Sequence, residues 1–301
     1  MNIMPVVDQI IMLFILMGLG LALRKMNIFT DKVIKGVNLM VLKVTWPALM
    51  LMTTQREYTP DALEMFVKVL LGSMVIMALT TAAAYLACRR KDRRMAPVFA
   101  LLCGLPNAGY IGLPIVGAVY GDAGTLYVAA YIIGFNLVLW TLGVAMFTGF
   151  SLRSLKNLLN PALICAAVGI TLFVLRIQLP APILSAVNQL GVVNTPLSML
   201  LLGARLNTLR PRQLMDARLW QVVVVRLLAV PLATFAALRL MGVEGMLLGM
   251  LVLPTALSSA AAGQMFAERY DIGVPFAVKC VSVTTLLSLL SLPLIMVLSG
   301  I

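Results

Sequence analysis

The chain has 301 residues, of which 61% are hydrophobic and only 11% are charged, and its mean hydropathy is +1.02. Soluble domains carry about 25% charged residues, so this composition excludes a soluble globular fold and indicates a membrane protein. The formal net charge of +12 would suit a nucleic-acid partner, but the basic residues follow the membrane topology instead.

The sequence predicts an all-α polytopic membrane protein, because ten stretches approach the length of about 20 apolar residues that a bilayer requires. They lie at 5–23, 33–52, 66–87, 95–120, 124–148, 160–178, 183–204, 219–240, 245–267 and 274–298. The first is interpreted as a span rather than a cleavable signal peptide, because it lacks a basic start and carries Asp8. The fourth and ninth are long enough to hold two half-helices each.

Basic residues lie mainly on one side of this predicted topology. With the N-terminus outside, the inner loops hold sixteen Lys and Arg residues and the outer loops hold four. This positive-inside bias predicts a plasma-membrane protein with both termini outside. The run Arg89 to Arg94 is expected to contact anionic lipid headgroups, so lipids rather than nucleic acid are the predicted partners of the basic excess.

No cofactor or metal is expected from the sequence. The chain contains no histidine, which is the commonest metal ligand and proton shuttle. The four cysteines lack metal or redox spacing and are predicted to be small core residues. They are Cys88, Cys103, Cys165 and Cys280.

One interrupted hydrophobic pattern occurs twice in the chain. Leu105-Pro106-Asn107 recurs 148 residues later as Leu253-Pro254-Thr255, and Pro47 recurs 149 residues later as Pro196. Two landmarks with one period predict two repeats of five spans, and an odd number of spans inverts the second repeat. The predicted units are a first repeat at 1–148, a cytoplasmic connector at 149–160 and a second repeat at 161–301.

Pro106 and Pro254 should lie near the bilayer centre, because each is about 10 residues of about 1.5 Å rise into its stretch. Proline in a spanning helix leaves a carbonyl that hydrocarbon cannot satisfy, and paired breaks in two halves indicate a substrate site. A half-helix beginning after each proline would direct unpaired amides toward the centre. The sequence therefore predicts an anion site where the two broken helices cross.

Polar residues near the two breaks are the candidate ligands. Asn107 is a midplane amide beside a helix break, which favours a binding role. Ser258 and Ser259 could equally belong to a packing surface whose hydroxyls bond to their own helix. The predicted substrate-binding set is Pro106, Asn107, Tyr110, Pro254, Thr255, Ser258, Ser259, Asn38, Lys43 and Asn136.

Charged residues within the spans refine this prediction. Lys43 lies near the centre of the second span and could pair with substrate or carry a proton, or it could cap carbonyls freed by Pro47. Arg226 and Lys279 are expected to extend to the membrane surface. The carboxylates, including Glu268, fall in loops or at span ends. A positive or neutral site favours an organic anion over sodium or another cation.

The runs Gly104-Leu105-Pro106-Asn107, Gly112-Leu113-Pro114 and Tyr120-Gly121 resemble the auxin efflux carrier family. That family includes plant PIN-type auxin exporters and bacterial malate and malonate permeases. The resemblance implies inverted five-span repeats, proline-broken crossover helices and elevator-type carriage of carboxylates. It assigns spans 1, 2, 6 and 7 to a scaffold and spans 3–5 and 8–10 to a transport unit. The short loops fit a bacterial inner-membrane protein, and a homodimer is expected by analogy.

The predicted function is therefore secondary transport of small organic acid anions, either mono- or dicarboxylates such as malate or malonate, or auxin-like acids. Proton coupling through Lys43 stays open. A sodium-coupled bile-acid-type symporter is an alternative, since it shares a crossover design, and a membrane-embedded ligand sensor is a non-transporter alternative. An enzyme is not expected, because the chain lacks a nucleophile motif and paired midplane carboxylates.

Overall fold

A computed structural model describes residues 4–55, 59–149, 161–206 and 216–300. These parts contain helices and turns but no strand. The helices are α1 (Met4–Lys25), α2 (Asp31–Met40), α3 (Trp46–Thr54), α4 (Pro60–Arg89), α5 (Ala96–Gly104), α6 (Leu113–Val138), α7 (Val144–Thr148), α8 (Pro161–Val174), α9 (Ala181–Leu206), α10 (Ala217–Val224), α11 (Val230–Leu240), α12 (Gly245–Val252), α13 (Ala261–Tyr270) and α14 (Val274–Ser299). The predicted connector lies outside the described residues, except for Gly149.

Helices occupy each of the ten predicted stretches, which confirms an all-helical membrane protein. Among the described residues, five helical stretches are long and apolar enough to cross a bilayer alone, and α14, bent by 56°, makes a sixth. The five are Val7–Lys25, Asp31–Thr54, Pro60–Arg89, Ala123–Thr148 and Ala217–Leu240. The count of ten spans and the inverted repeat stay predictions.

Short π-helical turns connect several of these helices. They lie at Val41–Thr45, Ala108–Gly112, Leu139–Gly143 and Val225–Ala229. A π turn inserts one residue into a helix and often occurs at functional sites. Three of these turns contribute residues to the central cavity described below, and the fourth carries Arg226.

The helices pack in two groups. In the first, α9 contacts α1, α2 and α3, and α3 also contacts α8. In the second, α4 contacts α5, α6 and α12, and α13 contacts α5 and α14.

The contact between α1 and α9 is close enough to require glycine. A Cβ on Gly20 would lie 2.1 Å from the Leu200 carbonyl oxygen, and one on Gly203 would lie 1.9 Å from that of Met17. Small residues allow such backbone contact between membrane helices.

The first break in a helix contains Pro106, as predicted, but the second break lies beyond Pro254. α5 ends at Gly104, Leu105 is extended, and helix resumes at Ala108. Pro254, by contrast, lies inside a 3₁₀ turn at Leu253–Ala256 that continues α12. α13 begins only at Ala261, so the prediction of a half-helix directly after Pro254 is wrong. Proline is tolerated in the first turn of a helix, where its missing N–H has no partner to lose.

The two breaks pair with each other through the main chain. The Asn107 N–H donates to the Ser258 oxygen at 2.8 Å, and the Ala260 N–H donates to the Leu105 oxygen at 2.9 Å. These bonds form an antiparallel bridge between Pro106 and Ser259. Each break thus satisfies main-chain groups that the apolar interior could not. Asn107 and Ala260 play matching parts in this bridge, although the sequence offset would match Asn107 with Thr255.

Candidate functional site

A cavity of about 320 Å³ lies beside the bridge between the two breaks. Residues from both helix groups line it, since α2, α3 and α9 belong to one group and α6 and α13 to the other. Its polar lining consists of Asn38, Lys43, Trp46, Asn107, Tyr110, Asn136, Ser198, Arg205 and Glu268. The volume is at the lower end of the range of small-molecule sites, which suits a small ligand.

Six of the ten predicted site residues line this cavity. They are Asn38, Lys43, Pro106, Asn107, Tyr110 and Asn136. The other four, Pro254, Thr255, Ser258 and Ser259, are buried at the crossing but are not part of the lining.

Two of these four residues use their hydroxyls in hydrogen bonds to main-chain oxygens. The Thr255 hydroxyl donates to the Val252 oxygen at 2.6 Å, and the Ser259 hydroxyl donates to the Leu102 oxygen at 2.7 Å. The Ser259 bond joins the second break to α5, whereas the Thr255 bond stays within its own segment. A binding role for any of the ten residues stays a prediction.

Three buried hydrogen-bond donors at the cavity have no partner among the described residues. They are Trp46 Nε1, Asn107 Nδ2 and Ser198 Oγ. All three residues line the cavity, and Asn107 and Ser198 are only 4% and 0% exposed. An unsatisfied buried donor costs about 1–3 kcal/mol, and each of these three belongs to a residue that lines the hollow. Trp46 and Ser198 were missed from the sequence, because nothing local distinguishes them from packing residues.

Helix N-termini add positive partial charge to the same cavity. Ala260, Ala261 and Ala262 line it, and no side chain caps α13 at Ala260. Asn107 precedes the π turn that opens the other helix, and its side chain does not cap that helix. The first amides of a helix lack intrahelical acceptors and carry the positive end of its dipole. Together they form an electropositive wall without using a charged side chain.

Aromatic rings form another wall of the cavity. Trp46 and Tyr110 meet edge to face, with ring centroids 5.2 Å apart. A Cβ on Gly109 would lie 2.1 Å from Cη2 of Trp46, so the indole can occupy its position only because residue 109 is glycine. Phe135 and Trp140 also line the cavity. This wall can accept the apolar part of a ligand.

The charged residues of the cavity are two cations and one carboxylate. Lys43 forms no ion pair with the described part of the chain. Arg205 Nη1 donates to Gln264 Oε1 at 3.0 Å, and Gln264 Nε2 donates to Glu268 Oε1 at 2.7 Å. This chain of contacts joins α9 to α13. Glu268, which the sequence places at a span end, lies near the end of α13 and also lines the cavity.

Arg226 does not extend to the membrane surface, so that prediction is also wrong. Its side chain is 0% exposed and lies beside both breaks. Nε donates to the Leu257 oxygen at 3.0 Å, Nη1 donates to the Cys103 and Gly104 oxygens at 3.1 and 3.3 Å, and Nη2 donates to the Thr255 oxygen.

Lys279 is also largely buried, and its ammonium forms an ion pair at 2.5 Å with Asp216, which lies outside the spans. Outside the spans, this contact with the Lys279 ammonium is the main reason that the pKa of Asp216 is lowered.

A helical membrane fold with two interrupted helices whose breaks are bonded to each other beside a polar cavity is the architecture expected of a transporter. The sequence matches the family described as membrane transport protein over residues 5–156 and 150–296. The chain therefore belongs to this family, the auxin efflux carrier family that its motifs resemble.

Two archaeal relatives agree with this assignment. An uncharacterized transporter of Methanocaldococcus jannaschii is 22% identical over 301 residues, covering 95% of this chain and 96% of the relative. An uncharacterized transporter of Methanothermobacter thermautotrophicus is 25% identical over 296 residues, with the same coverage. The chain is thus a multi-pass membrane protein of a transport family.

Proposed function

We propose that this protein is a secondary transporter of small organic acid anions and that it binds the carboxylate in the central cavity. The observation that carries the proposal is the set of unpartnered donors at Trp46, Asn107 and Ser198 around one hollow. A carboxylate has only acceptor sites, so it complements such a set. Lys43 and the first amides of the helices that follow Asn107 and Ala260 supply the matching positive charge.

The cavity also limits the size of the cargo. A hollow of about 320 Å³ suits a mono- or dicarboxylate such as malate or malonate, or a compact aromatic acid. Trp46, Tyr110 and Phe135 offer apolar surface for the carbon skeleton, and Asn38 and Asn136 offer further polar atoms. Two cations against one carboxylate, together with neutral donors, favour an anion over a metal ion as the cargo.

The proposed mechanism is alternating access by an elevator-type movement. The cavity lies between the helix group α1–α3, α8 and α9 and the group that contains both breaks. The proposal assigns the first group to a scaffold and the second to a transport unit, within ten spans arranged as two inverted five-helix repeats. In support, the long-range main-chain hydrogen bonds of the described residues join the two breaks to each other, and none of them joins the two helix groups.

The remaining parts of the proposal concern the membrane location, proton coupling and the oligomeric state. Positive-inside bias supports a bacterial inner membrane location with both termini outside. Lys43 is the proposed proton carrier if uptake is proton-coupled, because it is a cation that lines the cavity. A homodimer formed through the scaffold is proposed from the family alone.

The experiment is a thermal-shift screen of the purified protein against malate, malonate, oxalate, succinate and indole-3-acetate, followed by flux of the labelled hit in proteoliposomes. We expect saturable flux that persists without sodium. Sodium-dependent flux would favour the bile-acid-type symporter instead. Binding without flux would favour a ligand sensor, and the absence of both binding and flux for all five acids would contradict the proposed substrate class.

A further inference from the structure

Arg226 is a buried charge that the cavity does not use. Its side chain is 0% exposed, yet it is not part of the cavity lining. Within the described ranges it forms no ion pair, and its hydrogen bonds go to the main-chain oxygens of Cys103, Gly104, Thr255 and Leu257. A buried charge is costly unless it is fully hydrogen-bonded, so this set of acceptors defines what the residue does.

These four carbonyls come from the two helical segments that lead into the breaks. Cys103 and Gly104 are the last residues of α5. Thr255 lies in the 3₁₀ turn that continues α12, and Leu257 follows that turn. The last carbonyls of a helix lack intrahelical partners and carry the negative end of its dipole. In an apolar interior they need a donor from elsewhere in the protein.

We propose that Arg226 is a positioning residue that holds the carbonyl ends of both broken helices, so that only their amide ends face the cavity. The inference rests on the proposed function, since it explains how the main-chain part of the proposed site stays positive. One guanidinium neutralises the partial charges that would repel an anion. It also fixes the two segments on which the bridge between Pro106 and Ser259 depends.

The shape of the guanidinium accounts for the choice of arginine. Its three nitrogens lie in one plane and donate in different directions, which lets one side chain reach two chain segments. Nε and Nη2 serve the second break, and Nη1 serves the first. A lysine ammonium has the same charge on a single nitrogen. Arg226→Lys is therefore expected to keep the charge and lose part of the contact between the breaks.

Cys103 provides a readout that needs no substrate. It is 0% exposed, and its own carbonyl accepts a bond from Arg226. In protein whose other three cysteines are alanine, we expect Arg226→Ala to raise the rate of Cys103 modification by N-ethylmaleimide about tenfold, equivalent to about 1.4 kcal/mol. Added guanidinium chloride should restore protection, whereas the same concentration of sodium chloride should not. Lys279→Ala removes another buried cation, one that bonds to Asp216 rather than to the carbonyls of the breaks, and should leave Cys103 protected.

Several results would overturn the proposal. They are full protection of Cys103 in Arg226→Ala, equal rescue by both salts, equal exposure in Lys279→Ala, or wild-type protection in Arg226→Lys. An Arg226→Ala protein that stays misfolded when purified in guanidinium would also count against it, because the missing group would then not be the cause.

Malonate binding separates this inference from the proposed function. We expect wild-type protein to bind malonate and Arg226→Lys to bind it about tenfold more weakly, since 1.4 kcal/mol corresponds to tenfold. Guanidinium-specific protection of Cys103 in a protein that binds none of the five screened acids would support Arg226 as the positioning residue while contradicting the proposed function. Unchanged malonate affinity in Arg226→Lys would overturn the part of the inference that concerns the positive charge of the site.

Discussion

Thr45 donates a hydrogen bond from its hydroxyl to Oδ1 of Asn194 at 2.9 Å, and the two residues are 149 positions apart. That separation equals the offset between Pro47 and Pro196, so each partner lies two residues before its proline. Both side chains are 0% exposed. A contact between corresponding positions of two repeats is expected beside a two-fold axis that relates them, which supports the proposed inverted arrangement.

Thr45→Val should therefore lower the thermal stability of the protein. The substitution keeps the side-chain volume but leaves the Asn194 oxygen buried without its donor, at a cost of about 1–3 kcal/mol. A membrane hydrogen bond whose partners can re-pair is worth only about 0.6 kcal/mol. Melting temperatures of Thr45→Val, Asn194→Leu and the double variant distinguish the two values. Additive losses would show that the two residues do not interact.

Asn107→Ala should abolish carboxylate transport while leaving expression and folding intact. The change removes a 4% exposed amide whose Nδ2 has no protein partner, so the fold loses little and the ligand loses a donor. Labelled malonate flux in proteoliposomes measures the effect. The matched control is Asn188→Ala, which removes an exposed asparagine of α9 and should transport normally. Undiminished flux in Asn107→Ala would refute the site.

Lys43→Met should weaken malonate binding by about tenfold or more, because a hydrogen bond to a charged group is worth about 1.5–3 kcal/mol. Lys43→Arg should retain most of the affinity, since it keeps the charge. Isothermal titration of detergent-purified protein provides the measurement. Lys35→Met is the control, because Lys35 lies on the same helical stretch but outside the cavity. Equal affinity in Lys43→Met and Lys35→Met would assign Lys43 to a structural role.

Gly109→Ala should reduce the maximum rate of transport and displace Trp46. The new Cβ would lie 2.1 Å from Cη2 of the indole, which must rotate into the cavity or away from Tyr110. Tryptophan fluorescence and flux measured on the same preparation should change together. Gly36→Ala is the control, because a Cβ there meets no atom within 4 Å. An unchanged flux with a shifted fluorescence spectrum would show that Trp46 does not contact the cargo.

Asp216 gives the protein a predicted acid sensitivity outside the spans. The hydrogen bond from Lys279 Nζ holds the pKa of this carboxyl below its usual value. A lowered pKa in the folded state contributes stability above the ordinary value of about 4, and that contribution is lost as the pH falls through the folded-state pKa.

Melting temperatures measured from neutral pH downward test this linkage. Asp216→Asn should lower the melting temperature at neutral pH and flatten its decline in acid, by an amount corresponding to about 1 kcal/mol or less. Asp8→Asn, at an exposed carboxylate of α1, should keep the wild-type curve. Identical curves for Asp216→Asn and wild type would show that the ion pair does not stabilise the fold.

Much of the helical order could be predicted from the sequence, because hydrophobic runs and proline act locally. Pro106 marks its break correctly, since α5 ends at Gly104 and helix resumes only at Ala108. Pro254 misleads, because a 3₁₀ turn accommodates it and the true break at Leu257–Ala260 contains neither proline nor glycine. The register of the second break therefore depends on pairing with the first, which no local pattern encodes.

The candidate site was less predictable, because its parts are distant in the chain. Arg226 contacts carbonyls at separations of up to 123 residues, so hydropathy alone could not distinguish it from a residue near the membrane surface. One signal was present: two broken helices leave carbonyls that require a donor, and Arg226 is a cation within an apolar span. Trp46 and Ser198 face the cavity through helix packing, which the sequence does not specify.

The bridge that pairs Pro106 with Ser259 is built from main-chain atoms only. It therefore makes no demand on the identity of the side chains that surround the hollow. Those side chains can therefore change during evolution, and the proposed cargo with them, while the pairing of the two breaks is kept.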